Sequence, residues 1–407
     1  MPRIAITGAG AITPIGMSVP EVLNSLLTLR SGIRKLESDG LVRPLPVASV
    51  NGTFDEKFKR LELPFLDRFT RMALLAADQA CEQAGIPDFE AYDQRAGVFF
   101  GTVRGGGHTE WDNIYRYLVE KQRSVRPYVI MGTMANAPAS QVSIRRKILG
   151  PVAVHSTACS SSGNAVADAC RHIAIDELDV ALVGGSEAAL NPMFLSAWEG
   201  LRALTGVNEQ DPSSSCRPFS ASRGGLVLGE GAVMFVLESE EHAKRRGAQI
   251  LGYVDGWGIA SDAYHIGAPN SRGQLAALRK ALSKAEVDAS EVDYINAHAT
   301  ATKGGDPVEV ATLKELLGPD VERIPVSGTK ALHGHMLGAA SAMELLVCLL
   351  AIQEQFLPAT AFLEDIDPDC MGIRHVQETV RNVPVRRALS LSAGFGGTNS
   401  ALLLSQA

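Results

Sequence analysis

One order of features occurs twice in this chain. Residues 151–173, PVAVHSTACSSSGNAVADACRHI, run from a short apolar strand through a Thr and a small-residue turn into an Ala-rich helix. Residues 323–350, RIPVSGTKALHGHMLGAASAMELLVCLL, repeat that order. Such self-similarity predicts two related α/β halves whose polar turns meet at a shared centre. Cys159 occupies one turn, Lys330 and His335 the other.

The rest of the sequence fits this frame. Short β-branched runs (RIAITGAG, RAGVFFGT, DVALVGGSEAAL, GAVMFVLE) alternate with Ala-rich helical stretches, the pattern of a buried sheet covered by helices. The charged run ESEEHAKRRGAQ at 238–249 interrupts the alternation, which restarts at ILGYVDGWGIAS and divides the chain into halves 1–242 and 243–407. LLVCLLAI at 345–352 falls far short of the roughly 20 residues of a membrane-spanning helix and reads as a buried one. MPRIAITGAG enters a strand-like run without signal- or transit-peptide features, so a cytoplasmic protein is expected. The 6 cysteines form no CxxC cluster, which predicts neither disulfides nor a zinc site. A net charge of −7 lacks the concentrated basic face of a nucleic-acid binder.

Four stretches hold residues able to do chemistry. Cys159 is placed at the start of the helix from Ser161, where unpaired N–H groups and the helix dipole favour a thiolate; taken alone, a packed core thiol is the commoner outcome. Cys81, Cys170, Cys216, Cys348 and Cys370 are expected to be core thiols. In VDYINAHATATKGGDPVEV, His298 follows a strand and opens a loop, a place equally suited to structure or catalysis. Thr300 and Thr302 beside it are either ligand donors or ordinary loop hydroxyls. SGTKALHGHMLGAAS holds Lys330, His333 and His335, an HxH pair that no carboxylate completes as a metal site. GFGGTN at 394–399 lets backbone approach a ligand closely, with Phe395 its only large side chain. TGAGAITPIG lacks the spacing of a dinucleotide fingerprint.

TACSSS, NAHATATKGGD, TKALHGHMLGA and GFGGTN, in this order and with RPFSASRGGLVLGEGA at 217–232, resemble the β-ketoacyl-acyl carrier protein synthases over essentially the whole chain. The resemblance implies a thiolase-like, five-layered αβαβα fold of two duplicated halves, usually dimeric. It implies Cys159 as acyl-carrying nucleophile, His298 and His335 as the pair promoting malonyl decarboxylation, and Lys330 with Glu344 as an electrostatic pair. The N–H groups of Cys159 and Phe395 would form the oxyanion hole, with Phe395 also a gate. Thr300 and Thr302 would bond the pantetheine arm, and Asp306 and Glu309 would be structural.

Two departures from the family pattern bear on the acyl group: Ala299 replaces a Gly, and Ala393 replaces a Phe and leaves room. Arg104 falls near the position that controls acyl-pocket depth, so Arg104 and Ala393 are candidate substrate contacts. Arg202, Arg126 and Arg68 are candidate docking residues for an acidic acyl carrier protein. The resemblance implies no bound cofactor, because substrates ride on carrier-protein phosphopantetheine. The implied assembly is a homodimer, or a heterodimer with a cysteine-less chain-length-factor homologue. A thiolase would need a second cysteine in GFGGTN, which has none.

Overall fold

A computed structural model describes residues 2–407. The first half supplies strand β1 (Ile4–Ile12), helix α1 (Arg68–Ala84), β2 (Ala96–Gly101), α2 (Gly107–Leu118) and α3 (Ala137–Arg146). It continues with β3 (Val152–His155), α4 (Ser161–Ala174), β4 (Val180–Glu187) and β5 (Gly231–Ser239). The second half supplies β6 (Gly252–Ser261), α5 (Ser271–Ala285), β7 (Tyr294–Asn296), α6 (Gly305–Leu317) and β8 (Pro325–Ser327). It closes with α7 (Ala340–Glu354), β9 (Arg387–Gly394) and β10 (Thr398–Ser405).

The strand order makes the duplication explicit. From the centre outward the first half runs β1-β5-β4-β2-β3 and the second β6-β10-β9-β7-β8, with a short strand, Arg374–His375, on the outer edge of β8. In both, the first two pairings are antiparallel and the next two parallel. The halves join where β1 pairs β6 over Ile4↔Val254, Ala5↔Tyr253 and Ile6↔Gly252. Three apolar cores then define five layers: α1 and α3 on one outer face, α5 and α6 on the other, and α4 with α7 sandwiched between the sheets. Helix α7 is buried on every side from Ala340 to Ile352, which is why its sequence is apolar throughout rather than amphipathic.

Paired glycines set the helix-to-sheet distance. A Cβ at Gly8 or Gly10 of β1 would lie 2.0 Å from the carbonyl oxygen of Ala80 or Ala76 of α1. A Cβ at Gly256 or Gly258 of β6 would lie 2.1 or 1.9 Å from that of Ala281 or Ala277 of α5. TGAGAI therefore serves close packing, and DGWGIA is its counterpart in the second half. Replacing Gly258 by Ala forces α5 off the sheet, an overpacking cost of about 1–3 kcal/mol. In urea unfolding, Gly258→Ala is expected to lower the midpoint, whereas Gly200→Ala, whose Cβ meets open space, does not; equal midpoints would contradict this packing.

Candidate active site

Cys159 sits in the single turn Ala158–Ser160 that feeds α4. Ala158 adopts φ 52°, a left-handed conformation that points the cysteine into the protein centre. The start of α7 locks onto this turn: the Ser341 hydroxyl donates to the Cys159 carbonyl (3.1 Å) and the Ala342 N–H to Ser162 Oγ (3.0 Å). The two echoed turns are thus in direct contact.

Cys159 Sγ lies 2.9 Å from His335 Nε2, and the two histidine rings meet edge to face with centroids 5.2 Å apart. One donor atom from each of Cys159, His298 and His335 falls within 4.8 Å of the others. Such a trio could ligate a soft cation, but the Lys330 ammonium, 3.2 Å from His298 Nδ1, opposes a dication there. Lys330 is 1% exposed and in contact with the fully buried Glu344; it also donates to the His298 carbonyl. Glu344 accepts a second bond from Ser392 Oγ at 2.6 Å.

These contacts fix the proton on each imidazole. Lys330 donates to His298 Nδ1, and the Leu337 N–H donates to His335 Nδ1 (3.3 Å), so in each neutral ring Nε2 carries the hydrogen, that of His335 facing Cys159 Sγ. Burial first, and Lys330 second, hold both histidines well below the usual range. Burial also pushes the Cys159 thiol up to about 12, although Lys330 and the N–H groups of Phe395 and Cys159 itself pull it down. The helix start aims donors at sulfur as its sequence position implies. Desolvation nevertheless outweighs them, so the resting group is the thiol.

A cavity of about 390 Å³ opens onto this centre, lined by His298, Thr300, Thr302, Ala393, Phe395 and Arg202 among others. Thr300 and Thr302 hydroxyls are 3.1 Å apart on its wall. The GFGGTN turn closes one side. Gly396 and Gly397 take φ 80° and 72°, and a Cβ at Gly394 would crowd the Cys159 nitrogen at 3.1 Å. Phe395 is 43% exposed and stacks on Trp198 at 5.3 Å.

Other residues singled out in the sequence lie elsewhere. Arg68 is committed to internal partners rather than to a docking surface. Its guanidinium holds Glu230 (2.7 and 2.9 Å) and the carbonyls of Val50 and Gly52 (both 2.6 Å). Arg104 pairs with Glu110 (3.0 Å) over the Phe194 ring and does not line the cavity that holds Thr300 and Ala393. Arg126 is exposed away from the cavity, while Arg202 is exposed at its mouth. His333 turns from Cys159 to bond Thr329 Oγ1 (3.1 Å), so the HxH pair does not converge. Asp306 accepts from the Phe219 N–H (2.8 Å), and Glu309 accepts the N–H groups of His298 (2.5 Å) and Ala299 (2.7 Å). Sequence reasoning passed over Ser392, Trp198 and Ser341, whose parts depend on partners more than 20 positions away.

Fold and site together define an acyl-transferring enzyme built from two duplicated α/β halves. The chain belongs to the β-ketoacyl synthase family: the model of the Beta-ketoacyl synthase, N-terminal domain matches residues 1–243 and that of the C-terminal domain residues 251–364. It is 38% identical to Nodulation protein E of Rhizobium meliloti (strain 1021) over 99% of both chains. It is 37% identical to 3-oxoacyl-[acyl-carrier-protein] synthase 2 of the same organism, again over 99% of both. Among solved structures, the ishigamide ketosynthase/chain length factor superposes with a TM-score of 0.92 at 30% identity, covering 100% of this chain and 99% of that one.

A histidine whose pKa is depressed stays neutral as pH falls through the ordinary value near 6.5. Condensing activity is therefore expected to show no histidine inflection between about pH 7.5 and 6. A loss of activity centred near the ordinary value, in a kcat-against-pH profile, would show that one of the two rings titrates normally.

Proposed function

We propose that this chain lengthens a carrier-bound acyl group by two carbons in fatty-acid or polyketide assembly, through decarboxylative condensation with a malonyl thioester. The observation that carries the proposal is the convergence of one thiol and two imidazoles on a single buried centre, beside a cavity that His298 lines.

Cys159 attacks the thioester of an acyl carrier protein. The resulting oxyanion accepts the N–H groups of Cys159 and Phe395, the bond to phosphopantetheine sulfur breaks, and the thiol proton leaves with that sulfur. Malonyl carrier protein then enters with its thioester oxygen against His298 and His335 Nε2–H. Loss of CO2 leaves its electron pair in the enolate, so two hydrogen-bond donors suffice and no strong base is needed. The enolate carbon attacks acyl-Cys159, the C–S bond breaks, and the thiolate is reprotonated from solvent. The products are CO2 and a 3-oxoacyl carrier protein.

Lys330 and Glu344 hold the histidines, Thr300 and Thr302 receive the pantetheine arm, and Phe395 moves aside as the acyl chain enters. Ala393 shapes the acyl site, and Arg202 and Arg126 meet the acidic carrier protein. No bound cofactor is required. A carrier-protein substrate is supported by the similarity to 3-oxoacyl-[acyl-carrier-protein] synthase 2, and a chain-length-factor partner by that to the ishigamide ketosynthase/chain length factor. A partner subunit of the same fold, a second copy or a chain-length factor, is supported by exposed apolar residues on α2 and the segment after it, including Tyr117, Leu118, Val125, Ile130 and Met131. The enzyme is taken to be cytoplasmic: its apolar stretch Leu337–Glu354 is 89% buried.

Cys159→Ala is expected to abolish acyl loading and 3-oxoacyl product while leaving the urea midpoint within experimental error of wild type. Product formation by this variant, followed by mass spectrometry of the carrier protein, would overturn the nucleophile assignment.

A further inference from the structure

Glu187, the last residue of β4, is fully buried and held by N–H and O–H donors rather than by a cation. Its Oε2 accepts the Val103 N–H (2.7 Å) and the Gly338 N–H (3.2 Å); its Oε1 accepts the Arg104 N–H (3.1 Å) and the Thr102 hydroxyl (3.4 Å). One first-half carboxylate therefore spans two loops: the one leaving β2 and the second-half turn that follows His335. Burying a charge on those terms is costly, and burial pushes Glu187 up to about 7.

The turn it grips is the one that orients His335. Leu337 sits at φ 47° and donates to His335 Nδ1. Gly338 follows at once, its α-carbon so close to the loop leaving β2 that a Cβ would lie 2.5 Å from Thr102 Cα. Upstream, the His335 N–H donates to the Val227 carbonyl (2.7 Å), and its carbonyl accepts from Gly229 N–H (2.8 Å). The histidine is thus clamped on both sides by first-half residues, and Glu187 is the side-chain member of the clamp.

We propose that Glu187 is a positioning residue. By holding Gly338 it keeps the Leu337 N–H on His335 Nδ1, so that Nε2–H stays aimed at the reacting atoms. This rests on the condensation proposed above. Glu187 touches neither Cys159 nor the cavity; it acts on the reaction only through His335.

The test compares Glu187→Gln and Glu187→Asp with wild type in steady-state condensation with malonyl carrier protein, together with ¹⁵N spectra of the histidine rings. The Gln side chain keeps the shape but turns one acceptor into a donor facing N–H groups. Its kcat is expected to fall roughly 10- to 100-fold, the scale of a small misplacement, with KM for malonyl carrier protein within about twofold. His335 should lose its pure Nε2–H tautomer, while His298 keeps its own. Glu187→Asp, which retains charge at shorter reach, should fall between the two and decides the matter if the Gln variant does not fold. Unchanged kcat with an unchanged His335 tautomer would overturn the proposal. So would equal effects on both rings, which would mean a general loss of structure. If wild type fails to condense malonyl carrier protein, the functional proposal falls, and the ring spectra still decide whether Glu187 sets the His335 tautomer.

Discussion

A lysine and a glutamate touching at the centre of the protein set the conditions for everything around them. Lys330 belongs to the turn after β8, Glu344 to α7, and the Ser392 hydroxyl that completes the Glu344 shell to β9. Either charge alone would cost several kcal/mol in this interior, so the pair ties three elements to one geometry. The two opposite charges in contact leave the pair with no net charge. Two neutral imidazoles can therefore sit beside it, and Lys330 keeps a hydrogen directed at His298 Nδ1. The ring tautomer that aims Nε2–H at the cavity follows from this contact.

Three turns deliver the reacting groups, and each contains a non-glycine residue in a left-handed conformation: Ala158 at φ 52°, Ala299 at φ 39° and Leu337 at φ 47°. Such conformations cost roughly 1–2 kcal/mol each for an L-residue. Each turn is latched by a side chain from a neighbouring element. Ser341 holds the Cys159 carbonyl, Glu309 the Ala299 N–H and Glu187 the Gly338 N–H. The strain is sustained because the surroundings over-determine the backbone, the condition under which active sites hold unfavourable conformations.

Much of this was legible in the sequence. The echo between 151–173 and 323–350 anticipated the duplicated halves, and the motifs singled out Cys159, His298, Lys330, His335 and Glu344, which the structure gathers at one centre. The first four occupy strand-to-helix junctions where local pattern and position coincide, and Glu344 lies in α7, which the last of those junctions feeds. What escaped depends on partners distant in sequence. Arg68 reads as a surface cation until Glu230, 162 positions away, is seen to face it. Glu187 is an unremarked strand end until the turn beside His335, 151 positions along at Gly338, folds over it. Burial was equally hidden: the helix start at Ser161 suggested a thiolate, whereas desolvation dominates at Cys159.

The central claim is that one buried thiol, among several, carries the acyl group. Incubating the protein with an acyl carrier protein and mapping the acylated peptides by mass spectrometry tests it directly. A thioester is expected on Cys159 and none on Cys81, Cys170, Cys216, Cys348 or Cys370, all buried in the core. A thioester on any of those five, or 3-oxoacyl product forming with no acyl group on Cys159, would contradict it.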